Sequence, residues 1–354
     1  MTDAFSWRWI FWINLPVALI AMVLCNRALR LLHRQAREAR IDWAGAAMLT
    51  AAVSAWLMVL SWGGVEMAWT APPILGLSTV GALLIALLAW QERRCADPLM
   101  PPRLFANPVF TRGVAIAFCG ALAMFGGSFL LPLFFQLVRG ANAAMSGALV
   151  VPFLASSCVG AWFAGQLARR HGRLKGILLS GLGTCAIGFV LLGFIGAATP
   201  RWVLVVFQLL LGFGLGLVMP ASLVCVQNAA EKRDIGAATG CLLFLRSMGG
   251  AFGSTLVGAV LAGGFARNLA AFGIHSHIDL GEVRQSGATL SGVPADLLPH
   301  VQQALAGAFH LAFLSCAVAM VIAVVVALGM RDVPLRSSSA EEPSSEPEPA
   351  ALAH

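Results

Sequence analysis

The fold is decided by the stretch Gly165-Gln-Leu-Ala-Arg-Arg-His-Gly-Arg-Leu-Lys175, a short basic loop between two long apolar runs. Neither flanking run, 143–168 or 176–198, contains a charged residue. Each is long enough to cross a bilayer, which takes roughly 20 residues of helix. Short loops rich in Lys and Arg stay on the cytoplasmic side of a membrane. The stretch therefore predicts two spanning helices joined at the cytoplasmic face.

The composition extends this prediction to the whole chain. Hydrophobic residues make up 59% of the sequence and charged residues only 11%, whereas a soluble domain carries roughly 25% charged residues. The net charge of +7 does not indicate a nucleic-acid partner, because the cations are concentrated in the loops between apolar runs. The fold class predicted is an all-α polytopic membrane protein whose first partner is the lipid bilayer.

Outward from the basic loop, nine apolar runs are long enough to span a membrane. They are 9–28, 43–62, 72–90, 113–137, 143–168, 176–198, 202–226, 236–264 and 305–330. The linker 91–112 is broken by four prolines, and the segment 265–304 is too polar to cross. The tail after Arg331 is rich in Ser, Glu and Pro and is expected to be disordered.

The distribution of cations sets the predicted orientation. Of the 23 Lys and Arg residues, 17 fall in segments on the side of the basic loop, five fall on the other side, and Arg246 lies inside a run. This bias predicts an external N-terminus and a cytoplasmic C-terminus in the inner (plasma) membrane. Because the number of runs is odd, we also expect further helices upstream of Met1.

Several motifs in a fixed order resemble those of the fourteen-helix drug:proton antiporters, which are multidrug exporters of the major facilitator superfamily. In order, they are Ser6-Trp-Arg-Trp-Ile-Phe-Trp-Ile-Asn-Leu-Pro16, Ile41-Asp-Trp-Ala-Gly45, Trp90-Gln-Glu-Arg-Arg94, Arg103-Leu-Phe105, Gln136 with Gly140, Gly147 and Pro152, Gly212-Phe-Gly-Leu-Gly216 with Pro220, and Leu245-Arg-Ser-Met-Gly-Gly250. The match covers about residues 5–330 without large gaps.

The resemblance implies a partial major facilitator fold with four parts. Residues 1–30 would be the last helix of an N-terminal bundle, and 31–112 a basic linker with two inserted helices. Residues 113–330 would be a complete C-terminal six-helix bundle, and 331–354 a cytoplasmic tail. By the same resemblance, the helices usually assigned to proton coupling would precede this chain.

The function implied is proton-coupled export of lipophilic, often cationic, compounds by alternating access, without enzymatic activity. The proton gradient is the energy source, and no cofactor or metal is expected. An envelope adaptor protein is a candidate partner. The alternative is a non-transporting remnant or a subunit that must associate with a missing half. We expect this chain alone not to perform coupled transport, because all 16 Asp and Glu residues lie outside the predicted spans or at their edges.

The basic loop resembles the gating loop "GxLaDrxGrk" of that family. Its candidate gating residues are Gly165, Arg169, Arg170, Gly172, Arg173 and Lys175. Arg169 stands where the family pattern has Asp, so a carboxylate that could pair with cations of a neighbouring helix is missing. Two interpretations remain open: the cations contribute to gating, or they only set orientation and contact anionic lipid.

Polar, aromatic and small residues within the spans supply the other candidates. Arg246 is a functional candidate by default, since a charge inside a membrane needs a cavity or a partner, although it could instead extend to the headgroups. Gln136 is a further candidate for the substrate cavity, or alternatively an interfacial cap. Five phenylalanines are also candidates for an apolar cavity, or alternatively face lipid or core: Phe118, Phe125, Phe129, Phe134 and Phe153. Close helix packing or hinge motion is predicted at Pro152, Gly212, Gly214, Gly216, Pro220, Gly249 and Gly250.

Overall fold

The computed structural model describes residues 12, 14–30, 42–63, 67–95, 98–196, 198–272 and 298–332. Within these residues the secondary structure is helical, and there is no β-strand. The chain divides into two compact units, Met1–Ile41 and Asp42–His354. The described part of the first unit is one helix, α1 (Asn14–Arg30).

The second unit contains the remaining helices. In chain order they are α2 (Trp43–Trp62), α3 (Pro72–Glu92), the short α4 (Pro102–Phe105), α5 (Pro108–Leu137), α6 (Ala143–His171), α7 (Leu174–Gly193), α8 (Arg201–Ala229), a 3-10 turn (Lys232–Asp234), α9 (Ile235–Ala271) and α10 (Leu298–Leu328).

Eight helices of the described chain are long and apolar enough to cross a membrane, namely α2, α3 and α5 to α10. The predicted class, an all-α polytopic membrane protein, is confirmed. Of the first predicted span, 9–28, residues 12 and 14–28 are described, and α1 there includes a shorter apolar helix, Asn14–Arg27. The predicted disordered tail lies outside the described residues, apart from Arg331 and Asp332.

Some helices begin or end at residues other than those predicted from the apolar runs, because capping side chains or tertiary contacts extend them. Helix α5 begins at Pro108, five residues before the apolar run, because the Asn107 side chain accepts a hydrogen bond from the Val109 amide at 2.9 Å. The segment 265–304 was predicted to be entirely a connection, and this is wrong at both ends. Helix α9 continues to Ala271, and its Asn268 donates to the Ala304 carbonyl of α10 at 3.1 Å.

Two of the sequence motifs fix the ends of the helix pair α2 and α3. Asp42 caps α2 by accepting from the Gly45 amide at 2.9 Å. A Cβ atom at Gly45 would lie 2.5 Å from the Asp42 carboxylate, so the motif requires glycine there. At the end of α3, the buried Glu92 accepts from the Met100 amide at 3.1 Å, which folds the linker back onto the helix.

Helices α5 and α8 form the centre of the six-helix bundle made by α5 to α10. In each, 56% of the membrane-length window is buried, compared with 22% in α2 and 17% in α3, so the bundle core lies around these two helices. Helix α8 packs against α6 on one side and α7 on the other, and α9 and α10 pack against α5.

Glycines set the closest of these helix contacts. A Cβ atom at Gly212 would lie 2.1 Å from the Phe153 carbonyl oxygen of α6, and one at Gly249 would lie 2.3 Å from the Phe118 carbonyl oxygen of α5. A Cβ at Gly216 would lie 2.1 Å from the Ser157 carbonyl oxygen, and one at Gly214 would lie 2.7 Å from a backbone atom of α7. These backbones therefore meet more closely than any side chain would permit.

Candidate functional site

A cavity of about 200 Å³ lies in the six-helix bundle between α5, α6, α8 and α9. Its wall combines apolar side chains with one charged and two weakly polar groups. The lining residues are Met124, Phe153, Leu154, Ser157, Cys158, Ala161, Leu215, Gly216, Met219 and Arg246. The cavity is half open on the face of the bundle, where Leu154 and Cys158 are exposed.

Arg246 supplies the only charge on the described wall of this cavity. Its side chain is half-buried on α9, eleven residues after the helix begins, so it lies roughly 16 Å along the helix axis. No carboxylate of the described residues lines the cavity beside it. A guanidinium in such surroundings can bind an anionic or hydrogen-bond-accepting group of a ligand, while the apolar wall contacts the rest.

Of the phenylalanine candidates, Phe153 lines the Arg246 cavity, and Phe118 and Phe134 do not. The remaining cavity candidates lie elsewhere. Gln136 is near the end of α5, where its side-chain amide donates to the Ser146 hydroxyl of α6 at 2.9 Å. Phe129 packs partly buried against the bundle core, and Phe125 lies over Gly250, where an added Cβ would come within 2.6 Å of the ring. None of the three is among the residues that line the Arg246 cavity. Their predicted contact with substrate stays a prediction.

On the face of α6 that lines the cavity, Phe153 alone is a cavity candidate by the sequence analysis. Phe153, Ser157, Cys158 and Ala161 follow a spacing of four, one and three residues, which places them along one side of a helix. That spacing is visible in the sequence, but in an apolar run it also fits a face that contacts lipid. The structure identifies it because α8 and α9 leave this face open to the cavity.

The predicted basic loop, 165–175, is shorter in the structure, because α6 continues to His171 and α7 begins at Leu174. Its last cation, Lys175, lies in the first turn of α7 and contacts the end of α10. Gly172 ends α6 in the left-handed conformation (φ +62°), and its neighbour Arg173 leads directly into α7. The Lys175 ammonium donates to the Leu328 carbonyl at 2.9 Å, and Arg112 donates to the carbonyl of Gly329. Cations at a helix C-terminus are stabilised by the helix dipole, typically by about 0.3–1 kcal/mol.

Two carboxylates that pair with cations at this end of the bundle lie outside the gating-loop motif, one after α10 and one before α9. Asp332, beyond α10, lies 3.7 Å from the Arg173 guanidinium. The buried Asp234 pairs with Arg103 at 2.7 Å and so joins the linker to the turn before α9. Arg169 and Arg170 are exposed, and no Cβ at Gly165 would meet an atom within 4 Å. Whether the loop takes part in gating stays a prediction, as do hinges at Pro152 and Pro220.

The sequence profile of the Major Facilitator Superfamily matches residues 1–254. The chain belongs to the major facilitator superfamily. Its proteins are generally non-enzymatic carriers, which agrees with the expectation that the chain is not an enzyme.

Three bacterial relatives illustrate the similarity. An uncharacterized MFS-type transporter, Rv1877 of Mycobacterium tuberculosis (strain ATCC 25618 / H37Rv), is 31% identical over 335 residues, which cover 95% of this chain and 48% of that protein. The multidrug transporter protein MdtP of Bacillus subtilis (strain 168) is 34% identical over 74% of this chain and 48% of its own length. Multidrug resistance protein 3 of the same strain is 28% identical, with coverages of 93% and 66%.

These relatives confirm the resemblance to multidrug exporters of the superfamily. The chain spans about half the length of the first curated relatives it matches. Among solved structures, a bacterial homolog of the human lysosomal transporter Spinster, in an inward-facing and occupied conformation, matches with a TM-score of 0.52 at 14% identity. That match covers 79% of this chain and 66% of the other, and it shows the fold alone. The chain is therefore a multi-pass membrane protein of this fold.

Proposed function

We propose that this chain takes part in the export of small lipophilic compounds across the membrane, driven by a proton gradient. The observation that carries the proposal is the apolar cavity of the six-helix bundle, with Arg246 on its wall. Relatives of the chain in the superfamily are named as a multidrug transporter and a multidrug resistance protein. No comparison favours the alternative of a non-transporting remnant.

The cavity also suggests which lipophilic compounds are bound. A drug-sized site usually occupies roughly 300–1,000 Å³, so the cavity of about 200 Å³ would be one side of a site that a second bundle closes during alternating access. Arg246 is positive and no described carboxylate faces it there. We therefore favour lipophilic compounds that carry an anionic or strongly accepting group, in contrast to the cationic compounds expected from the resemblance.

Everted membrane vesicles test this proposal when they contain the chain together with the N-terminal half that coupled transport is expected to need. K⁺ and valinomycin are added to collapse the inside-positive membrane potential, which would draw a lipophilic anion into the vesicles without a transporter. Under these conditions we expect respiration to drive accumulation of a fluorescent lipophilic anion inside the vesicles, and a protonophore to abolish it. A lipophilic cation of similar size serves as the matched substrate and should accumulate more slowly. Equal accumulation in vesicles without the protein, or accumulation unaffected by the protonophore, would refute proton-coupled export.

The orientation in the inner membrane is part of the same proposal. The contacts among Arg103, Asp234, Lys175 and the end of α10 gather the linker, the basic loop and the 231–234 turn at one end of the bundle. We assign this end to the cytoplasm because it collects the cations. In a variant whose eight native cysteines are replaced, a cysteine introduced as His171→Cys should react with an impermeant maleimide only in everted vesicles. Labelling in intact spheroplasts would contradict the orientation. An envelope adaptor remains a candidate partner on the opposite side.

A further inference from the structure

A second cavity, of about 170 Å³, lies at the opposite end of the bundle from the basic loop. It is enclosed by the turn after α5 and by the beginnings of α6 and α8. Phe135 and Leu204, both nearly fully buried, form its apolar floor. Sites for drug-sized ligands are usually larger, at roughly 300–1,000 Å³, so this volume suits a small ion or a headgroup.

The cavity has a positive wall. Arg139 and Arg201 both line it, and among the described residues neither forms an ion pair with a carboxylate. Arg139 is anchored by a hydrogen bond to the Thr199 carbonyl, which holds its guanidinium beside the start of α8. Burial, and secondarily the charge of Arg201, lower the pKa of Arg139. Arg201 is exposed at the edge of the cavity, and a bound anion would relieve the repulsion between the two charges.

The N-terminus of α8 adds to this positive potential. Helix α8 begins at Arg201 without a side-chain cap, so the positive end of its dipole is not neutralised by a neighbouring acceptor. Gly140 lies in the same wall with φ +66°, and nothing would meet a Cβ there within 4 Å. The backbone therefore leaves the entrance beside Arg139 open.

An independent observation comes from Gln208, which also lines the cavity. Its side chain is 1% exposed, and its Oε1 atom has no hydrogen-bond partner. The Nε atom of Arg139 is likewise buried without a partner. Buried polar atoms in folded proteins normally find partners. A ligand with an anionic oxygen for Arg139 and a hydrogen-bond donor for Gln208 would satisfy both.

We propose that this cavity binds a phosphate group that carries, or lies beside, a hydrogen-bond donor. Arg139 and Arg201 would bind the anionic oxygens, and Gln208 would accept from the donor. Inorganic phosphate has this chemistry, since near neutral pH it carries a hydroxyl together with anionic oxygens. The headgroup of phosphatidylethanolamine has it too, since an ammonium stands next to its phosphodiester. Sulfate and phosphatidylcholine offer the anionic oxygens without a donor.

The experiment uses the full chain, purified and washed free of lipid, with both sources tested. In detergent, thermal unfolding is followed with added inorganic phosphate or with sulfate at equal ionic strength. In nanodiscs of equal phosphatidylethanolamine and phosphatidylcholine, the lipid retained on the protein is identified by native mass spectrometry. A shift of the melting temperature with phosphate assigns the site to the free ion. Selective retention of phosphatidylethanolamine without that shift assigns it to the lipid.

Three variants complete the test. Arg201→Gln and Gln208→Leu should each weaken phosphate or lipid binding about tenfold, since each removes from the protein one hydrogen bond to the ligand. Arg267→Gln, an exposed cation on α9 outside the cavity, is the matched control and should leave binding unchanged. Without ligand, Gln208→Leu should not lower the melting temperature, because it removes an unpartnered atom.

Four results would overturn the proposal. The first is that neither phosphate nor phosphatidylethanolamine binds, and the second is that the control variant weakens binding as much as Arg201→Gln. The third is that sulfate binds as well as phosphate, because the ligand then needs no hydrogen-bond donor. The fourth is that Gln208→Leu unfolds at a lower temperature without ligand, because Gln208 then has a structural role instead.

Discussion

Replacing Gly212 with Ala is expected to force α6 and α8 apart and to lower the melting temperature of the protein by roughly 1–4 °C. The added Cβ would lie 2.0 Å from the Ser156 hydroxyl and 2.1 Å from the Phe153 carbonyl oxygen. The second of these is a backbone atom, so rotation of a side chain cannot relieve the clash. Overpacking of this kind typically destabilises a protein by about 1–3 kcal/mol.

Two glycines on α6 supply matched controls for this prediction. A Cβ at Gly147 or at Gly165 would meet no atom within 4 Å. Ala at either position should be neutral or stabilise the helix by about 0.5–1 kcal/mol, because glycine loses more backbone entropy in a helix. The melting temperature of each variant in detergent is the measurement. A Gly212→Ala variant as stable as these controls would mean that α6 and α8 do not pack at this distance.

Replacing Arg246 with Ala is expected to lower export of a lipophilic anion at least about tenfold, which is the loss of one charge-assisted hydrogen bond to the substrate. Export of a lipophilic cation should be unchanged or faster, because a repelling charge is removed. Anion export by Arg246→Lys should lie between that of the unchanged protein and that of Arg246→Ala. Lysine keeps the charge but loses the planar, two-point geometry of the guanidinium.

The control for Arg246 is Arg267→Ala, on the same helix but exposed and outside the cavity. Rates are measured in everted vesicles and normalised to the amount of inserted protein, so that loss of folding is separated from loss of transport. If Arg246→Ala slows anion and cation export equally, Arg246 has a structural role and does not select substrates.

The membrane helices could be predicted from the sequence because the bilayer imposes a length and a polarity on each of them. The runs 43–62 and 143–168 are recovered with little change at their first residues. The ends that moved depend on local or tertiary contacts that hydropathy does not contain. Asn107 and Pro108 start α5 earlier than its apolar run, and the contact between Asn268 and α10 prolongs α9.

The site could be predicted only in part, for a geometric reason. Arg246 stands out because a lone charge in an apolar run needs a polar environment. Gln136 does not join it, because it lies twelve residues beyond the cavity residue Met124, which is roughly 18 Å along the helix axis. Phe125 is next to Met124 in sequence but points about 100° away around the helix. To predict which of these residues line the cavity, one must know how each helix is rotated about its own axis. That rotation is determined by packing against the neighbouring helices.

The second cavity illustrates the same limit at longer range. Arg139 and Arg201 are about sixty residues apart in the sequence, and each alone looks like an ordinary loop cation at a membrane surface. Their approach depends on the hydrogen bond from Arg139 to Thr199, and Gln208 becomes notable only when its burial without a partner is seen. The sequence shows which polar groups are present, but their hydrogen-bond partners depend on tertiary packing.

The central claim, that the Arg246 cavity binds the exported compound, can be tested with a native side chain. Cys158 lines the cavity and is an exposed free thiol, whereas Cys95 is a partly exposed free thiol in the linker. The measurement is the rate of alkylation of each cysteine by N-ethylmaleimide, read by peptide mass spectrometry with and without a saturating lipophilic anion. We predict that the anion slows alkylation of Cys158 at least about tenfold and leaves Cys95 unchanged. Alkylation of Cys158 at an unaltered rate, while the same compound is being exported, would contradict the claim.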